Sequence, residues 1–167
     1  MPNIHHEVLI GAPAEKIYGV LTTQEGLAGW WTPDVKAKPE RDSVARFGFG
    51  QGYFKEMKIT DLQPSKRVNW LCITGADEWR GTTISFELQA ADKGTLLSSH
   101  SELADQIYQQ RNGDKGTLLI LHHDDWREYS PMFGECSYTW GQFLRSLKSL
   151  CEIGKGRPWP NQHRSEP

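Results

Sequence analysis

The densest set of ligand-like side chains in the sequence is His122-His123-Asp124-Asp125. A metal site needs three or four side chains converging on one point. In a strand, successive residues face opposite ways, which leaves His122 and Asp124 on one side and His123 and Asp125 on the other. The run therefore reads as a solvated strand end or turn, and no metal ligand is assigned. His5-His6 fails for the same reason and lies near a terminus. Cysteine chemistry would need a histidine beside Cys72, Cys136 or Cys151, and thiols on apolar faces are usually buried and inert. Ser98-Ser99-His100 lacks a nucleophile elbow and an identifiable acid, so no hydrolase triad is read there. The glycines of residues 48–52, GFGQG, are followed by neither Lys-Ser/Thr nor a helix, and predict a hairpin turn rather than a phosphate loop. These patterns assign no catalytic residue and no cofactor.

What remains is the aromatic inventory, 11% of the chain with seven Trp. Trp31, Phe47, Phe49, Met57, Trp70, Trp79, Phe86, Trp140 and Leu144 are the candidate ligand-contacting residues. Rings in this number either fill a thick core or line a concave pocket, and alternation alone does not separate the two.

These side chains must be held by regular elements, and the clearest is residues 131–154. Cys136, Trp140, Phe143, Leu144, Leu147, Leu150 and Cys151 recur at spacings of three and four and share one side of a helix. Ser137, Gln142, Arg145, Ser146, Ser149 and Glu152 fill the other. Pro131 suits the first turn and Gly154 a stop. Before it, residues 5–10 predict a strand, residues 12–20 a helix with Pro13 at its start, and Thr23 the cap of a second short helix carrying Trp30 and Trp31. Residues 44–49, 53–62, 66–74 and 82–90 predict an antiparallel meander. In the second of these, Lys55 shares the parity of Tyr53, Met57 and Ile59. The motif DKGTLL occurs at residues 92–97 and again at 114–119, each copy reading as a turn followed by a strand. Residues 101–130 accordingly read as an inserted hairpin or loop, and residues 155–167 as an extended, partly mobile tail.

Length predicts one domain over residues 1–154. A net charge of −2 with scattered Lys and Arg gives no footprint for nucleic acid. No apolar run is long enough for membrane insertion, and nothing reads as a signal peptide. Three cysteines exclude a full disulfide framework, and Cys136 and Cys151 would lie about 22 Å apart along one helix, beyond bridging distance. Reduced thiols in a cytoplasmic protein are the expectation.

Several fragments together resemble the START-like (SRPBCC) superfamily, and within it proteins related to the C-terminal domain of the activator of heat-shock protein 90 ATPase. They are residues 4–31 (IHHEVLIGAPAEKIYGVLTTQEGLAGWW), 59–70 (ITDLQPSKRVNW), 79–88 (WRGTTISFEL), a GTLL strand ending near a histidine, and 140–160 (WGQFLRSLKSLCEIGKGRPWP). The resemblance implies an α+β helix-grip fold: a curved antiparallel sheet of six to seven strands around a long C-terminal helix, with two short helices near the N-terminus. It also implies a cavity between sheet and helix, and no shared catalytic motif. The doubled GTLL segment departs from the family pattern.

Three functions follow. The leading one is binding of a small apolar or amphipathic molecule in that cavity, without catalysis. A cyclase or aromatase-like enzyme would need an inward acid or base. Its candidates are Glu56, Glu87, His100 and Tyr138, of which Glu56 and Glu87 have outward parity. A chaperone-binding module would act through its surface. An exposed sheet edge leaves a homodimer open.

Overall fold

The cleanest alternation in the sequence becomes a central strand. Ile84, Phe86 and Leu88 are buried, and the residues between them face outward. The computed structural model describes residues 1–110 and 113–164. In chain order the elements are β1 (Ile4–Ile10), α1 (Ala14–Thr22), α2 (Gln24–Trp30), β2 (Val35–Lys36), β3 (Val44–Gly48), β4 (Phe54–Gln63), β5 (Arg67–Thr74), β6 (Thr83–Asp92), α3 (Lys93–Ser99), α4 (Ala104–Gln109), β7 (Lys115–Asp124) and α5 (Pro131–Ile153), with a 3-10 turn at Ser101–Leu103. One seven-stranded sheet runs β1-β7-β6-β5-β4-β3-β2, with antiparallel pairing between neighbours among the described residues. The sheet grips α5, and α1 and α2 close one end. This is the α+β helix-grip architecture.

Local chemistry explains the boundaries. Thr23 Oγ1 accepts from Gly26 N at 3.1 Å and starts α2. Ser130 Oγ accepts from Phe133 N at 3.1 Å, Pro131 takes the first helical position, and Gly154 ends α5 at a left-handed φ of 77°. Trp140, Phe143, Leu144, Leu147 and Cys151 are buried as their spacing predicts. Ser146 is the exception on the side read as polar. It is buried because its Oγ donates to Trp30 O at 2.9 Å and accepts from Arg157 N at 2.6 Å.

The two DKGTLL copies part company. The second enters β7 as predicted, but the first forms α3, and the residues after it form the 3-10 turn and α4 rather than a hairpin. Asp92 accepts from Thr95 N at 3.3 Å and caps α3, which turns Leu96 onto Leu9, Leu103, Ile107 and Leu118. In the second copy Gly116 is pressed against β1, where a Cβ would stand 2.5 Å from Ile10 O, and Thr117 Oγ1 donates to Ala12 O at 2.8 Å. Tertiary context decides between two states of one motif.

The α3–α4 segment also covers the edge of β1. The Gln106 side chain accepts from Leu9 N at 2.9 Å and donates to Glu7 O at 3.1 Å, as a neighbouring peptide group would. Lys148 Nζ donates to Leu9 O, and Glu152 accepts from Gly11 N at 2.7 Å. The β1 edge is thereby occupied over residues 7–11. The tail is docked as well, contrary to the mobile terminus its composition predicts. Trp159 N donates to Trp31 O at 2.7 Å, Lys155 O accepts from Ser149 Oγ at 2.6 Å, and Gly156 sits so close to Gly29 that a Cβ would stand 2.1 Å from its carbonyl oxygen. Residues 165–167 of that expectation lie outside the described residues.

Candidate functional site

Eight of the nine candidate ligand-contacting residues are buried together where the sheet meets α5: Trp31, Phe47, Met57, Trp70, Trp79, Phe86, Trp140 and Leu144. Phe49 is partly buried beside them. Trp31 is the hub. Its ring stacks on Trp70 at 5.7 Å and on Trp140 at 5.6 Å, and meets Phe47 at 4.5 Å. Phe86 closes edge-on against Trp70 at 5.1 Å and Trp140 at 6.2 Å. At these separations the rings touch one another, so the middle of the grip is packed ring on ring.

The polar chemistry lies at one end of that stack, around two residues without an assigned role in the sequence reading. His123 follows Leu119 and Leu121 at strand parity and points into the core, fully buried. Trp140 Nε1–H donates to its Nδ1 at 3.0 Å, so that nitrogen carries no proton. Its Nε2 therefore bears the hydrogen and donates to Thr82 Oγ1 at 2.8 Å, and Thr82 in turn donates to Trp79 O at 2.6 Å. Trp79 and Trp126 flank the imidazole at 4.6 and 4.8 Å. Burial, reinforced by the nearby Lys55 cation, pushes the His123 pKa down to about 3. This histidine is a neutral link in a hydrogen-bonded chain, with neither nitrogen free for metal or proton transfer.

Lys55 is the second. It lies on the inward side of β4 under Trp79, partly buried, with Nζ 3.6 Å from that ring, 4.6 Å from Phe49, 5.8 Å from Trp31 and 5.9 Å from Tyr53. Among the described residues no carboxylate pairs with it. Aromatic faces attract a cation, but they do not replace its lost hydration in full. Burial pulls the Lys55 pKa down to about 8. The same burial pushes Cys72 up to about 11 and also raises Cys136, so both are protonated thiols at neutral pH.

The turn over Lys55 is built to carry Trp79. Gly75 and Gly81 bracket it with φ of 153° and 86°, values that favour glycine. Tyr53 Oη accepts from Ala76 N at 3.3 Å, Trp79 Nε1 donates to Cys136 Sγ at 3.2 Å, and Ser130 Oγ donates to Glu78. A lysine amine, two thiols and a ring-lined wall thus converge beneath one short connection.

The remaining candidates lie elsewhere. Glu56 Oε1 accepts from Thr74 Oγ1 at 2.8 Å on the outward side of the sheet, and Glu87 pairs in register with Arg67 and Ile120 with the outward parity read for it. Tyr138 is 68% exposed, and His100 bonds Ser99 Oγ at 2.8 Å at the end of α3. His5 and His122 meet edge to face at 4.6 Å, and no group of three or more metal-ligating side chains forms among the described residues. Gly50, Gln51 and Gly52 make the hairpin turn between β3 and β4, all at positive φ.

A family model described as Activator of Hsp90 ATPase homolog 1-like protein matches residues 11–152. The Aha1 dimer from Colwellia psychrerythraea, known as a solution structure, is 35% identical, with 93% of this chain and 100% of that chain covered and a TM-score of 0.72. Protein BH1534 from Bacillus halodurans is 18% identical, covering 91% of this chain and 98% of that one, with a TM-score of 0.63. CalU16 from Micromonospora echinospora is 18% identical, covering 95% and 77%, with a TM-score of 0.60. The last two share the fold. No curated protein matches the chain.

Proposed function

This chain belongs to the Activator of Hsp90 ATPase homolog 1-like protein family, and from that premise we propose that it binds a small amphipathic molecule at the Lys55 end of the grip. The observation that carries the reading is the Lys55 amine itself, held beneath Trp79 among aromatic faces with no carboxylate partner among the described residues. Apolar walls supply affinity through buried area, and one cation orients a polar head. The Gly75–Gly81 connection is the segment that must shift to admit the apolar part. The direct test is titration with decanoate, followed by tryptophan fluorescence. Binding should strengthen about fifteenfold on going from octanoate to decanoate, since each of the two added methylenes contributes about 0.8 kcal/mol when buried. It should weaken at least tenfold in Lys55→Met. No saturable fluorescence change with any chain length would refute the reading.

A second reading is self-association. The 35% identical relative is a dimer, and Tyr129, Met132 and Tyr138 leave apolar surface exposed at the start of α5. The same face would serve contact with an Hsp90-type chaperone, which the family description brings to mind. A monomeric mass in solution together with no capture by such a chaperone would remove both.

A further inference from the structure

We propose that Lys55 is a carbonyl-reactive amine, and that the aromatic end of the grip takes an apolar aldehyde and holds it as an imine on Lys55 Nζ. This rests on the binding site proposed above and names the substrate chemistry that the site suits.

Three features converge. First, the amine is neither ion-paired nor hydrogen-bonded among the described residues, so its lone pair is not committed elsewhere once the proton is lost. Second, its surroundings favour the neutral amine. With its pKa drawn down to about 8 by burial, roughly a tenth of the amine is unprotonated at pH 7, against about 0.03% for an ordinary lysine. The ionisable groups that face it are the Cys72 thiol from β5, the Cys136 thiol from α5, the Tyr53 phenol just before β4 and the neutral His123 from β7. Burial holds the two thiols and the phenol protonated at neutral pH, so none of the four places a charge against the cation. Third, the surroundings suit the product's charge. A protonated imine keeps the positive charge over the Trp79 face that now holds the ammonium, and once the Gly75–Gly81 connection has shifted the aldehyde's apolar part would lie along Phe49 and Tyr53.

The step balances without any further reagent. The Lys55 lone pair adds to the carbonyl carbon, and the oxygen takes a proton to give a carbinolamine. The hydroxyl then takes the proton that the ammonium gave up on deprotonation and leaves as water, while the nitrogen, keeping its hydrogen, forms the C=N bond. One ammonium and one aldehyde become one protonated imine and one water, with no change in oxidation state. A thiol adduct is disfavoured, because Cys72 and Cys136 are held protonated.

The test uses the unmodified protein at pH 7 with decanal and cyanoborohydride, which fixes an imine as a stable secondary amine, followed by peptide mapping. The expected result is modification of Lys55 at least tenfold faster than the exposed Lys58 and Lys66, slowed by excess decanoate at Lys55 alone. Modification of Lys55 at or below the rate of Lys66 overturns the proposal. Fluorescence titration with decanoate, run in parallel, separates the two readings. Saturable decanoate binding without fast Lys55 labelling removes the imine chemistry and leaves the binding site. Fast Lys55 labelling without decanoate binding supports the imine and removes the amphiphile reading. Lys55→Arg, which cannot form an imine, should show no adduct at position 55.

Discussion

The neutral state of His123 makes a prediction that needs no ligand. In the folded protein its pKa is drawn down to about 3, while in the unfolded chain it returns to about 6.5. Between these values the unfolded state binds a proton that the folded state refuses, so stability rises with pH across that window. The contribution is fully present above 6.5 and is lost as pH falls. Because pH 5 lies well above 3, the loss between pH 7 and pH 5 is set almost wholly by the unfolded value, and comes to about 2 kcal/mol. His123→Gln removes the titration, while its amide can still accept from Trp140 Nε1 and donate to Thr82 Oγ1. The assay is urea unfolding of both proteins at pH 7 and pH 5. Carboxylates and His6 are common to both proteins and cancel in the double difference. The wild type should lose about 2 kcal/mol more than His123→Gln over this interval. Equal losses would mean that His123 titrates normally in the folded state, and the hydrogen-bond chain through Trp140 and Thr82 would then be misassigned.

Two further outcomes follow from backbone contacts. Gln106→Ala strips the side-chain amide from Leu9 N and Glu7 O, which should destabilise the fold by about 1–2 kcal/mol and accelerate amide exchange at Leu9; unchanged exchange there would show that the cover is not needed. Gly116→Ala drives a Cβ to within 2.5 Å of Ile10 O and should destabilise by about 2 kcal/mol or more, seen as a fall in melting temperature of roughly 5 °C; a wild-type melting temperature would show that the β1–β7 contact yields freely.

Much of the architecture was legible because it is local. The stripe of α5, the Thr23 cap and the alternation of β3 to β6 are written in residues a few positions apart. The DKGTLL pair shows where that stops: two copies of six residues diverge because one abuts β1 and the other folds over Leu9 and Leu118. Ser146 and the tail were misread for a related reason, since a polar side chain and a Pro-Gly-rich segment bury each other. At the site, the aromatic residues were visible but their mutual packing was not. Lys55 stood at inward parity in the sequence, whereas the strand before His122 and His123 is apolar on both faces, so its parity chose neither. Solvation arguments about a lysine or a strand-end histidine point outward, and only the surrounding rings and the Trp140–Thr82 bridge reverse that expectation.

The pairing of β1 with β7 has a consequence for how the chain folds. Ile4 faces His123 and Ile10 faces Thr117, so the first strand waits for nearly the last one before its ladder can form. Such closure between distant segments carries a large loop entropy and slows folding relative to local meanders. A chain emerging vectorially from synthesis can assemble β3 to β6 early, while the apolar Val8, Leu9 and Ile10 remain without their partner strand. The interval before β7 arrives is therefore the period of greatest aggregation risk, and a helper that shelters the N-terminal strand during that interval would raise the yield of folded protein without altering its final stability.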